Sequence, residues 1–193
     1  MTVPVYFREP SSKVSFSFDW FDYAAGAGYK TFYPIRGHED SGGISLLAQS
    51  TSFHSDSAAN YQYTTQAGVG STEHNFDVEF SKPVTVAAAV AYANFYMQTA
   101  GGATGRVEVE IFHVDTGASE TSIGSELTDN QATGFNYWKF LTISLTKKHF
   151  GIGEKLRVEV TITHVAGAGS VRVYHDPAGT YPFVIAIPFI VDL

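Results

Sequence analysis

The sequence predicts an all-β fold: an antiparallel β-sandwich, jelly-roll-like, with about eight to ten strands. Three observations lead there. Apolar and polar residues alternate with a period of two along most of the chain, turn signals rich in Gly and Pro separate these runs, and helical periodicity is nearly absent. The composition agrees, with 15 Phe, 11 Tyr and 18 Gly among 193 residues. Aromatic and β-branched side chains suit a pleated, half-buried surface, and Gly supplies turns.

The runs can be taken in order. Val14, Phe16 and Phe18 alternate with Ser15 and Ser17. Residues 20–28 could hold a short helical turn. Phe76, Val78 and Phe80 alternate with Asp77 and Glu79, and Ser81, Lys82 and Pro83 then read as a tight hairpin. Gly101, Gly102 and Gly105 introduce Val107, Val109 and Ile111, which alternate with Glu108 and Glu110. Leu141, Ile143 and Leu145 form the next run. Gly151 and Gly153 precede Leu156, Val158, Val160 and Ile162, and Gly167 and Gly169 separate that run from Val173. Asp176, Pro177 and Gly179 lead to the last strand. Each run implies one buried and one wet face.

Two segments break the alternation. Residues 84–93 carry apolar side chains at nearly every position, and residues 184–191 are apolar throughout. Strands apolar on both faces are covered on both faces. A neighbouring subunit is the expected cover, which makes Val84, Val86, Ala88, Val90, Tyr92, Ile185, Ile187 and Phe189 candidate oligomer or lattice contacts. Pro188 lacks a ladder donor, so the last strand is expected at a sheet edge or bulged there.

Composition narrows the function. A chain that is 44% hydrophobic and 16% charged can build a core, and residues 1–193 read as one domain, with 1–35 as an N-terminal arm and first strands available for assembly. A net charge of −7 disfavours nucleic acid. The absence of Cys excludes disulfides and thiolate metal sites. Met1 to Pro4 shows no basic region followed by an apolar run, so no signal peptide is expected, and no stretch approaches the ~20 apolar residues of a membrane helix.

Residues that could carry chemistry occur only as pairs. His113 with Asp115, His54 with Asp56, His38 beside Glu39 and Asp40, and His175 beside Asp176 offer too few convergent ligands for zinc. Asp129, Asn130, Asp19 and Asp22 carry oxygen ligands, but their spacing matches no calcium loop. Glu108 and Glu110 read as a solvated face, and no nucleophile elbow, P-loop or dinucleotide fingerprint is present. No enzyme activity, metal or cofactor is expected. Tyr61, Tyr63, Tyr137 and Trp138, with Phe135, lie in or beside turn-rich segments and are the candidate glycan-stacking residues.

The stretch Phe18, Asp19, Trp20, Phe21, Asp22, Tyr23, followed by Gly26, Gly28, Tyr29, Lys30, Thr31, Phe32 and Tyr33, resembles N-terminal segments of β-rich minor structural proteins of tailed bacteriophages and related archaeal viruses. Phe150 to Val160, Val173 to Pro177 and the strand containing Pro188 are similar in character, so the resemblance covers about half the chain. It implies a jelly-roll-like capsid decoration or minor head protein that self-associates and binds a particle lattice, and it brings no catalytic residues. The expected partners are then copies of itself and the major capsid or other virion proteins, without nucleic acid or membrane. The expected location is the virion, after synthesis in the host cytoplasm. The alternative is a carbohydrate-binding module or a viral adhesin domain that binds glycan.

Overall fold

Residues 76–80, 107–111, 141–145 and 156–162 alternate strictly in the sequence, and each run sends one side chain in two into a shared interior. The computed structural model describes residues 13–14, 27–35, 44–49, 63–175 and 181–190. The described residues form fourteen strands and no helix. These are β1 (Lys13–Val14), β2 (Ala27–Ile35), β3 (Ser45–Ala48), β4 (Tyr63–Ala67), β5 (Gly70–Phe80), β6 (Val84–Val86) and β7 (Val90–Ala100). They continue with β8 (Thr104–Val114), β9 (Glu120–Leu127), β10 (Asn136–Ser144), β11 (Lys148–Phe150), β12 (Lys155–Ala166), β13 (Ser170–Tyr174) and β14 (Val184–Ile190). The number exceeds the expected eight to ten because β6/β7 and β10/β11 are interrupted pairs and because β1 and β3 are very short.

The strands make two layers. In the first, β9, β8, β12 and β5 pair antiparallel in that order, and β3 and β1 run parallel to β5. In the second, β10 flanks one edge of β7, while β14 and β13 share its other edge. Outside these lie β2 against β14 and β4 against β13. Strand β2 changes layer. Residues 27–32 pair with β14, and Tyr33, Pro34 and Ile35 pair with β3. Within residues 1–35, the described parts are β1, paired with β5, and β2, paired with β14 and β3.

Between the layers, Phe76, Val78, Phe80, Val109, Ile111, Val158 and Val160 pack with Phe95, Met97, Val171, Val173, Ile185, Ile187 and Phe189 in one fully buried cluster. Burying each such side chain is worth roughly 1.5–3 kcal/mol. The ring of Phe80 meets Phe150 edge-on at 5.1 Å and Phe189 at 6.2 Å, which ties one layer to the other.

Several expectations are corrected. Ser81, Lys82 and Pro83 do not make a hairpin. They carry the chain from β5 in one layer to β6 in the other, where β6 pairs with β11 and β14. The Gly-rich turns at 101–102 and 167–169 likewise cross between layers, from β7 to β8 and from β12 to β13. These two turns pack backbone to backbone. Gly169 adopts φ +100°, and a Cβ there would overlap the carbonyl of Ala100. Of residues 20–28, expected to hold a helical turn, Ala27 and Gly28 belong to strand β2, and 20–26 lie outside the described residues.

The 84–93 segment is not one strand. It breaks at 87–89, and the break reverses its phase. Val84 and Val86 point into the core before it, and Ala91, Ala93 and Phe95 after it. Ala88 and Tyr92 are consequently exposed and Val90 half-buried, on the outer side. Val84, Val86, Ile185, Ile187 and Phe189, on the second layer, are buried against the protomer's own first layer, so no neighbouring subunit is needed to shield them.

The last strand is not at an edge. Strand β14 lies between β2 on one side and β6 and β7 on the other. The carbonyl of Pro188 accepts a 3.0 Å hydrogen bond from the Ala87 N–H. A strand residue's N and C=O point to the same side, so the missing N–H faces the seam between β6 and β7, where the ladder is already broken. The outer side of Pro188 is buried as well. Tyr29, paired opposite it on β2, donates its hydroxyl to the Val90 carbonyl at 3.0 Å on the far side of β14.

Candidate functional site

Alternation within the second layer sends a second set of side chains outward, opposite the core. Because β4, β13, β7 and β10 lie in register, these side chains fall into rows across the sheet. One row is polar: Arg172 on β13, Gln98 on β7 and Asn136 on β10. The Tyr174 hydroxyl donates to Gln98 Oε1 at 3.2 Å, and Gln98 Nε2 donates to Asn136 Oδ1 at 3.3 Å.

Beside it runs an aromatic row. Tyr63 meets Tyr174 at 5.3 Å between ring centroids, Tyr174 meets Tyr96 edge-on at 5.6 Å, and Tyr96 meets Trp138 edge-on at 5.7 Å. Tyr181 stacks on Tyr96 at 3.8 Å and 17°, and also contacts Trp138 and Tyr174. Burial beneath Tyr181, followed by the hydrogen bond and charge of that phenol, raises the Tyr96 pKa above its ordinary value. With strands ~4.8 Å apart, a row over four strands is about 14 Å long.

Further along the same face, Phe140 stacks on Tyr92 at 5.6 Å and 22°, and Tyr92 contacts Tyr29 at 5.7 Å. These rings remain open to solvent: Phe140 is 62% exposed, Tyr29 47%, Trp138 45% and Tyr92 38%. Large aromatics held open in a contiguous patch mark a surface that meets something apolar.

Of the four residues expected to stack on glycan, Tyr63 and Trp138 lie on this face. Tyr137 does not. It alternates to the other side of β10, pairs with Met97 and meets Phe135 edge-on at 5.2 Å. Tyr61 lies outside the described residues. Sequence reading missed Tyr29, Tyr96, Phe140, Tyr174, Tyr181 and Arg172. For Phe140 a signal existed, because it stands out of phase with the core residues Leu141 and Ile143. Tyr181 and Tyr29 reach the face only through the fold.

The other candidate groups do not converge. The His113 ring bonds Glu154 Oε2 at 2.7 Å, whereas Asp115 Oδ1 accepts the N–H groups of Gly117 and Ser119, both at 2.8 Å, in a local turn. His175 is buried, shares a 2.8 Å hydrogen bond with Thr64 and stacks on Phe183. His38, Glu39, Asp40, His54, Asp56, Asp19, Asp22 and Asp176 lie outside the described residues. Among the described residues, no three or more His, Cys, Asp or Glu side chains group as metal ligands. No described helix is long and apolar enough to cross a membrane.

The outer side of the first layer is chemically opposite. Glu73, Glu108, Glu110 and Glu159 share it, with Glu159 directly across from Glu110. Burial, then Glu73, Glu110 and Glu120, raises the Glu159 pKa. Arg157 fits between the carboxylate oxygens of Asp77 at 2.7 and 2.9 Å and also bonds Glu120.

No protein-family model and no curated protein sequence matches the chain. Solved structures do. A CocE/NonD family hydrolase from Staphylococcus aureus superposes with a TM-score of 0.60 at 10% identity, over 86% of this chain and 37% of that one. An aminopeptidase from a marine sediment Thaumarchaeota archaeon gives 0.59 at 11% identity, over 86% and 37%. An α-amino acid ester hydrolase gives 0.57 at 11% identity, over 83% and 36%. A carbohydrate-binding module and a bacteriophage tailspike domain reach 0.34, and a structure of infectious bursal disease virus 0.28, scores too low to carry an argument. The chain thus spans little more than a third of the hydrolases it resembles, and the likeness establishes a shared β-sandwich fold alone.

Proposed function

We propose that the protein is a non-catalytic glycan-binding module whose ligand lies along the outer face of the second layer. One observation carries the reading: a line of aromatic rings, from Tyr63 through Trp138 to Phe140, Tyr92 and Tyr29, held outward on rigid strands beside a polar row. Sugar rings have apolar C–H faces and hydroxyl edges. A stacking ring flanked by amide groups answers both, and mounting them on strands removes the ordering cost that loops would add. Isothermal titration against a panel of soluble polysaccharides tests this. Trp138→Ala should weaken binding about tenfold or more, ~1.4 kcal/mol, with the melting temperature preserved. A folded wild-type protein that binds nothing in the panel would reject the reading.

A second reading is favoured by the apolar end of the face, where Ala88 and Tyr92 are exposed beside Tyr29 and Phe140. There the face seats on a copy of the chain or on a virion protein, as the sequence resemblance implies. Sedimentation analysis tests self-association: an oligomer that Phe140→Ser abolishes supports assembly, whereas a monomer at high concentration rejects seating on a copy of the chain.

A further inference from the structure

We infer that the ligand of this face is an anionic glycan, whose carboxylate or sulfate is gripped by Arg172. The inference rests on the glycan-binding reading and adds the class of sugar. Charge on the two faces of the sandwich is segregated. Along the outward positions of β2, β4, β7, β10, β13 and β14, Arg172 is the one charged side chain among the described residues, and no carboxylate accompanies it. Glu73, Glu79, Glu108, Glu110 and Glu159 project from the far side of the other layer. A core ~10 Å thick, plus the side chains on each face, separates them from Arg172. Among the described residues, a protein of net charge −7 therefore presents a locally positive aromatic face.

The guanidinium is also under-used. It lies over the Tyr63 ring at 4.9 Å, which holds it beside the aromatic row. Of its five N–H donors, one makes a long 3.4 Å bond to Gln98 Oε1, which already accepts from Tyr174. Its Nε is buried and has no acceptor. The terminal nitrogens are then the donors open to a ligand, and a planar carboxylate or sulfate is the partner that takes two parallel bonds from a guanidinium. A neutral sugar hydroxyl could meet one donor at a time. The adjoining aromatic row, with Trp138 open to solvent, would stack on the sugars, so charge and stacking would be read at neighbouring positions.

Titration of the intact protein with hexagalacturonate, its methyl ester, dextran sulfate oligomers and cellohexaose tests the inference. Wild type should bind at least one anionic oligomer about tenfold or more tighter than the neutral ones, and this preference should shrink as salt rises. The uronate and sulfate arms tell which anion is read. Arg172→Gln should abolish the preference, bringing anionic binding down to the level of the neutral oligomers. Arg172→Lys should recover only part of it, because a point charge cannot make the bidentate contact. Neutral oligomers bound as tightly as anionic ones, or a preference that survives Arg172→Gln, would overturn the anionic assignment and leave the glycan module standing. No binding to any oligomer would overturn both.

Discussion

The hydroxyl of Tyr29 donates to the carbonyl oxygen of Val90 across the full width of β14, over 3.0 Å. The phenol ring thereby roofs the outer side of Pro188, on a strand whose inner side is already buried in the core. Burial, followed by the neighbouring phenol of Tyr92, raises the Tyr29 pKa, as expected for a hydroxyl held in its neutral, donating form. Tyr29→Phe keeps the roof and removes the bond, and should cost about 0.5–1.5 kcal/mol in urea unfolding. Tyr29→Ala removes both and should cost more. Equal stability of the two variants would mean that the hydrogen bond, not the ring, does the covering.

Glu154 anchors the turn before β12. Its Oε2 is hydrogen-bonded with the His113 ring at 2.7 Å and accepts the Gly151 N–H at 2.7 Å; these bonds, the histidine's first, hold its pKa below the ordinary 4.5. A carboxylate whose native pKa is lowered contributes stability that is complete above its unfolded value and lost as pH falls through the native value. Wild type should therefore lose more stability than Glu154→Gln between neutral pH and the region below 4.5. Denaturant midpoints across that range read the difference, and parallel pH curves would contradict it.

Glu159 gives the opposite sign. Its pKa is raised by burial and by Glu73, Glu110 and Glu120, so folding takes up protons there. The resulting penalty is absent below the unfolded value of 4.5 and complete above the native one. Glu159→Gln should raise the melting temperature at pH 7, and the gain should vanish at acidic pH. The effect should also diminish in high salt, since part of it is repulsion across an exposed face.

Gly105 stands where β8 and β13 come together between the layers. A Cβ there would overlap a Val171 methyl and lie 2.7 Å from the Thr163 carbonyl oxygen. Gly105→Ala should destabilise the fold by about 1–3 kcal/mol through overpacking. The same substitution should cost less when Val171→Ala is already in place, because the methyl that blocks the new Cβ is then gone. Purely additive thermal shifts would show that the Thr163 carbonyl, not Val171, is the obstacle.

The sequence by itself determined the class of fold, the inward sides of β5, β8, β10 and β12, and the turns at 101–102, 151–153 and 167–169. Each follows from side chains alternating along a single strand or from the backbone freedom of Gly, and both are local. Tertiary structure decided the rest. A three-residue interruption at 87–89 reverses a phase that unbroken alternation would have kept, which moves Val84 and Val86 into the core and Tyr92 onto the surface. Pro188 reads as an edge residue until its missing donor is seen to face a seam between two partner strands. The candidate binding face joins Tyr29, Tyr63, Tyr96, Trp138, Arg172 and Tyr181, drawn from distant parts of the chain. Their neighbourhood depends on which strands pair, and strand pairing is a non-local contact that no window of alternating residues encodes.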